Sequence, residues 1–181
     1  MRKIVVSAQV SANGVEENPQ RFSFDYTNEE FMKYASEQLF ASDALIMGRM
    51  TYEGFAQAWP ASAGANAFAD RMNGLPKYVA SRTLNGPLTW NANLIQGDIA
   101  AEVAKIKQQP GGDILQYGIG ELTYTLLQHG LIDEIRLLMY PVVISGGHIF
   151  ETIDKTPLNL LESRSFSNGV MVLHYQPTNR A

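Results

Sequence analysis

Short apolar runs alternate with stretches in which apolar residues recur every three or four positions. That alternation predicts strands interleaved with helices. Lys3 to Val10 reads as a first strand, central in its sheet, broken at Ser11-Ala12-Asn13-Gly14, where Asn-Gly favours a turn. Val15 to Phe24 has no clear period and reads as a loop. Thr27-Asn28-Glu29-Glu30 has the form of a capping box, with Thr27 as N-cap and Glu30 three residues on. The helix it starts carries Phe31, Tyr34, Ala35 and Leu39 at helical spacing. Ala44 to Met47 is a buried strand running into Gly48-Arg49-Met50-Thr51 and a short helix, ended by Trp59-Pro60. Ala67 to Asn73 is helical and is stopped by Gly74 and Pro76. Lys77 to Ala80 is a strand followed by Ser81-Arg82-Thr83, and Leu94 to Gln96 is a further short strand. Asp98 caps a helix over Ile99 to Gln108 with Val103 and Ile106 inward.

Asp113 to Tyr117 reads as a strand and Glu121 to His129 as a helix, with Gly118 and Gly120 between them. Glu134 to Tyr140 is a strand that continues through Pro141 to Ile144, and Ser145-Gly146-Gly147 is a tight turn. Leu158 to Phe166, Asn168-Gly169 and Val170 to Tyr175 predict a β-hairpin. Strand–helix alternation implies mostly parallel strands, and the strand-rich last fifty residues imply antiparallel ones. Residues 1–181 read as one α/β domain, without repeat or linker.

Composition removes function classes. With 45% apolar residues the chain is of ordinary globular type, and a net charge of −4, scattered, gives no basic face for nucleic acid or membrane. There is no cysteine, which removes disulfides, thiolate catalysis and cysteine-held zinc. No signal peptide and no run of about 18 apolar residues is visible, so a soluble cytoplasmic protein is expected. The three histidines, His129, His148 and His174, lack ligand spacing, and no metal site is expected.

Open α/β sheets bind ligands at the carboxyl ends of their strands. Three polar strand ends meet that description: Gly48-Arg49-Met50-Thr51, Ser81-Arg82-Thr83 and Gly118 to Leu122. A strand that ends in glycines before a helix can bind an anion, because glycine admits close approach and the first-turn N–H groups point at the ligand. The same glycines equally suit a plain tight turn. Two arginines and several hydroxyls beside two helix N-termini suit a ligand with several phosphates, for which arginine offers a planar fork.

Met47-Gly48-Arg49-Met50-Thr51-Tyr52-Glu53 resembles the M-G-R-x-T-[WY]-E segment of dihydrofolate reductases, and Tyr117 to Leu122 resembles their glycine segment before the last helix. The chain is closer to the bacterial dihydrofolate reductase family proteins related to the C-terminal reductase domain of RibD, of riboflavin biosynthesis. Pro76 to Leu84, Gly130 to Glu134 and Pro141-Val142-Val143 also resemble that group, in the same order. The resemblance implies a single-domain dihydrofolate-reductase-like fold: a mixed, mostly parallel sheet flanked by helices, with a C-terminal antiparallel hairpin. It implies NADPH as hydride donor to a small heterocycle such as a pterin, an aminopyrimidine or a related C=N or C=O compound. Gly48, Arg49 and Thr51 then hold cofactor phosphates, Ser81, Arg82 and Thr83 lie near the adenosine 2′-phosphate, and Gly118, Ile119, Gly120, Glu121 and Leu122 hold the pyrophosphate. It also implies a homodimer joined through the strand-rich C-terminal region.

The substrate end departs from the family pattern. Many relatives read S-L-D-G after the first strand, where this chain has Ser11-Ala12-Asn13-Gly14, and Asn13 is not an ionisable acid. Reduction of C=N needs a proton donor, and the candidates are Asp25 and, through hydrogen bonding only, Asn13. Glu29 and Glu30 read as first-turn carboxylates. Trp59 either stacks on a substrate ring or packs a helix end, and His148 follows a turn that could approach the nicotinamide. The alternative function is a catalytically silent nucleotide-binding protein on the same fold.

Overall fold

The computed structural model describes residues 1–178. The elements run β1 (Ile4–Ser11), α1 (Gln20–Ser23), α2 (Glu29–Ala41), β2 (Ser42–Gly48), α3 (Arg49–Ala58) and α4 (Ala67–Gly74). They continue with β3 (Lys77–Ala80), β4 (Ala92–Ile95), α5 (Ile99–Gln108), β5 (Asp113–Tyr117), α6 (Glu121–Gln128), β6 (Glu134–Tyr140), β7 (Leu158–Ser165) and β8 (Met171–Pro177). The strands form one eight-stranded sheet in the order β4-β3-β2-β5-β1-β6-β8-β7. The first six in that order are mutually parallel, and β8 pairs antiparallel with both β6 and β7. The architecture is the single α/β domain expected from the alternation, with the mixed, mostly parallel sheet and C-terminal antiparallel hairpin that the resemblance implied.

Both faces of the parallel part are covered, which is why its strands read as continuous apolar runs rather than alternating ones. Side chains still leave a strand on alternate faces. Ile4, Val6, Ala8 and Val10 of β1 join a core with Val103 and Ile106 of α5 and Leu126 of α6. Val5 packs the other way, with Leu45, Met47 and Leu115, against Leu39 of α2, Tyr52 of α3 and Met72 of α4. A third core, with Phe22, Leu138, Tyr140, Phe166, Val170 and Val172, closes the antiparallel end. Several carboxylates outside the cleft are tied to cations. Glu134 on β6 takes Lys3 at 2.8 Å, Arg136 at 2.7 Å and His174 at 2.8 Å, while Asp43 pairs with Arg2 and Asp133 with Lys107. Burial acts to raise the Glu134 pKa, but the hydrogen bonds from Lys3 and Arg136 outweigh it and hold the group at about 2.

Several local expectations are corrected. The N-cap of α2 is Asn28, not Thr27: Asn28 accepts the Phe31 N–H at 2.9 Å. Glu30 does not close a capping box; it accepts the Ser167 N–H at 2.7 Å and so fastens α2 to the hairpin turn. The segment 15–24 is not all loop, since α1 and a 3-10 turn over Phe24–Tyr26 lie there. α3 continues past Ala58 into a 3-10 turn over Trp59–Ser62, and Pro60 fits because a first-turn proline forfeits no helical bond. β6 stops at Tyr140; the Val142 N–H turns back onto the Tyr140 carbonyl at 2.8 Å, and the Val142 carbonyl accepts from Ala12. The hairpin forms as expected, with Gly169 at φ +88° in its turn.

Candidate functional site

β5 lies between β2 and β1, and α6 then carries the chain past β1 to β6 on its far side. The connections leaving β1 and β5 thus diverge, and in open α/β sheets such a switch point opens a crevice at the carboxyl ends of the strands. A long open cleft of about 1780 Å³ lies there. That exceeds the roughly 300–1,000 Å³ of a pocket for one small molecule, so there is room for two ligands side by side.

The three polar strand ends all line this cleft: Gly48, Arg49 and Thr51; Ser81, Arg82 and Thr83; and Gly118, Ile119, Gly120, Glu121 and Leu122. At the end of β2, Gly48 caps α3 without a side chain, and Arg49 spans to Glu53 one turn on at 3.0 Å. At the end of β3, the Ser81 hydroxyl oxygen accepts the N–H groups of Thr83 at 3.1 Å and Leu84 at 3.0 Å. That small turn leaves Arg82 reaching into solvent, with its guanidinium 3.9 Å from Glu121.

The β5–α6 turn is the most constrained. Gly118 has φ +84°, a left-handed conformation that favours glycine, and its N–H bonds the Ser7 carbonyl at 2.9 Å. Buried Thr123 accepts both the Gly120 N–H at 3.1 Å and the Gln116 side-chain amide at 2.6 Å. The first-turn N–H groups of α6 have no partner within the helix.

The Ile119 N–H is already engaged. It donates to both carboxylate oxygens of Glu16, at 3.1 and 2.9 Å. Glu16 lies on the loop after β1 and lines the cleft. Burial pushes its pKa up to about 7, against the opposing pull of the Ile119 hydrogen bond. No ion pair reaches it among the described residues. Sequence reasoning missed Glu16, because it sits in a stretch without period or motif. Its one legible signal was position, a few residues past a strand that ends at the cleft.

Asn13 and Asp25 are not among the cleft-lining residues. The Asn13 amide bonds the Ile144 carbonyl at 2.9 Å and its oxygen accepts from Ser11 and Ile144, so it braces two loops. Asp25 is exposed on the 3-10 turn after α1. Trp59 packs on Phe55 and Phe68, at ring distances of 6.3 and 5.8 Å, and also lines the cleft. His148 also lines the cleft and meets Glu151 at 3.2 Å, whereas His174 belongs to the Glu134 cluster. Three cleft-lining side chains, Gln38, Gln116 and Tyr117, each carry a buried oxygen with no hydrogen-bond partner. Unsatisfied buried polar atoms are uncommon in folded proteins. Three of the six such atoms among the described residues lie on the wall of this cavity, and those of Arg71, Arg136 and Tyr140 lie elsewhere. The donor set suits a phosphate-bearing dinucleotide and a polar heterocycle. Among the described residues, no group of three or more His, Asp or Glu side chains is arranged to hold a metal ion, and no helix is long and apolar enough to cross a membrane.

Comparison with known proteins places this geometry in a family. YyaP of Bacillus subtilis (strain 168), an uncharacterised protein, is 32% identical over 138 residues, covering 74% of this chain and 73% of its own. Among solved structures, a putative riboflavin biosynthesis protein from Shewanella sp. PV-4 is 20% identical with a TM-score of 0.69, over 98% of this chain and 99% of its own. A diaminohydroxyphosphoribosylaminopyrimidine deaminase/5-amino-6-(5-phosphoribosylamino)uracil reductase of Thermotoga maritima is 12% identical with a TM-score of 0.66; it covers 98% of this chain, which spans 57% of that protein. At these identities the solved structures speak for the fold. The model of the RibD C-terminal domain matches residues 2–172, nearly the whole length, and the chain belongs to the RibD C-terminal domain family.

Proposed function

We propose that the protein is an NADPH-dependent reductase of a small heterocycle, a pterin, an aminopyrimidine or a related C=N or C=O compound. The observation that carries this reading is the convergence of three polar strand ends on one cleft with room for two ligands. Bound there, the nicotinamide would supply a hydride. Arg49 and Thr51 at the head of α3 and the N–H groups of Glu121 and Leu122 at the head of α6 bind phosphate oxygens, where the positive ends of two helix dipoles meet. Arg49 exchanges Glu53 for phosphate, and Arg82, exposed at the rim, meets the adenosine 2′-phosphate with Ser81 and Thr83. The unpartnered oxygens of Gln38 and Tyr117 accept from, or donate to, the ring edge of the substrate, and Trp59 borders it.

The test is a fluorescence titration with NADPH and NADH, on wild type, Arg49→Ala and Arg82→Ala. NADPH is expected to bind saturably. Arg49→Ala weakens both dinucleotides by about tenfold or more, the worth of one charge-assisted contact, and Arg82→Ala removes most of the preference for NADPH. Unchanged affinities in both variants would overturn the site assignment. The same reading carries a homodimer joined through β7 and β8, where Leu160, Leu161 and Met171 are exposed, and a monomer by light scattering at micromolar concentration refutes it.

A further inference from the structure

Glu16 is a half-buried carboxylate that no ion pair reaches among the described residues. Asp43, Asp133 and Glu134 each have a cation, but Glu16 has a single backbone N–H shared between two oxygens. A carboxylate accepts about four hydrogen bonds, so most of its capacity is unused. Holding a carboxylate away from water without a cation is costly, and such groups are concentrated at functional sites. Its place is specific. The loop after β1 is pinned by the Val15–His148 bridge and by the Glu16 N–H on the Gly147 carbonyl at 3.3 Å. The carboxylate lies so close over the β5–α6 turn that a Cβ on Gly118 would come within 3.3 Å of Oε1. It therefore sits at the switch point of the sheet, in the cleft wall, where the β1 and β5 ends meet.

We propose that Glu16 is the proton donor of the reduction, an inference that rests on the reductase reading above. With the hydride supplied by the nicotinamide, the Glu16 O–H bond breaks and an N–H or O–H bond forms at the substrate heteroatom. The C=N or C=O group gains two electrons and the nicotinamide loses them. The carboxylate then recovers its proton from water through the open cleft. The Ile119 N–H holds the carboxyl in place in both protonation states and stabilises the carboxylate left behind. The charged groups on the segments packed against Glu16 are otherwise occupied: Glu17 accepts from Gly147, His148 meets Glu151, and Glu121 faces Arg82. Other acids lining the cleft are less suited, since Asp98 caps α5 and Glu17 and Glu121 are exposed.

The test needs no substrate. A proton donor beside the reacting ring senses whether that ring is neutral (NADPH) or cationic (NADP⁺). Affinities for both dinucleotides are measured from pH 5.5 to 8.5, in wild type and Glu16→Gln. As Glu16 ionises, the NADP⁺ to NADPH affinity ratio should rise on the order of tenfold in wild type, from attraction between two nearby charges. It should stay flat in Glu16→Gln, with NADPH affinity at pH 6 kept within about threefold. A flat ratio in wild type overturns the proposal. So does a parallel weakening of both dinucleotides with rising pH that Glu16→Gln abolishes, which would make Glu16 a competitor for phosphate instead. If neither dinucleotide binds either protein, the reductase reading itself fails, and this inference falls with it.

Discussion

Replacing Glu16 by glutamine also isolates the cost of keeping its charge in the fold. Glu16 titrates at about 7 in the folded chain against an ordinary 4.5, and that interval at about 1.4 kcal/mol per pH unit amounts to about 3 kcal/mol. The sign follows from proton binding. Below pH 4.5 the group is neutral whether the chain is folded or not, so it costs nothing. Between 4.5 and 7 the folded state holds more protons than the unfolded one, and stability falls as pH rises through about 7. Glutamine keeps a carbonyl oxygen for the Ile119 N–H and carries no charge. Urea unfolding of both proteins, followed by fluorescence of Trp59 and Trp90, should give nearly equal stabilities at pH 4.5. At pH 8, Glu16→Gln should be more stable by about 2–3 kcal/mol, a large share of the ~5–15 kcal/mol that holds a domain together. Other groups titrate alike in both proteins and cancel. A stability difference that is the same at every pH would refute the reasoning, because it would mean that the folded chain leaves the Glu16 carboxyl near its ordinary value.

Two further outcomes follow from the same geometry. Glu134 is held at about 2, so its contribution is present above pH 4.5 and is lost as pH falls through 2; Glu134→Gln should cost about 3 kcal/mol at pH 7 by urea unfolding, with the deficit vanishing toward pH 2. Gly118→Ala forces a left-handed φ on alanine and brings a methyl against Glu16, so thermal melts should show a loss of about 1–2 kcal/mol, and unchanged melting would contradict the described turn.

Local chemistry made much of this fold legible in the residues. Lys77–Ala80, Asp113–Tyr117 and the Asp98-capped helix Ile99–Gln108 lie where period and capping put them, because each is decided within one turn or one strand. The three polar strand ends were legible too, since glycine at a strand end and a helix start are local signals. Tertiary structure decided the rest. Thr27 and Asn28 are both good caps, and Asn28 took the role while Glu30 was drawn away to Ser167, 137 residues on. β6 ends at Tyr140, where the Val142 N–H turns back onto the Tyr140 carbonyl while the Val142 carbonyl is held by Ala12 on the loop after β1. Asn13 and Asp25 looked like the polar candidates near the substrate, yet the first is used in bracing loops and the second lies on an exposed turn. Glu16 carries no signal of its own. Its raised pKa comes from burial, against the pull of the Ile119 N–H from 103 residues away, and a pKa set by desolvation exists only once the chain has closed around the group.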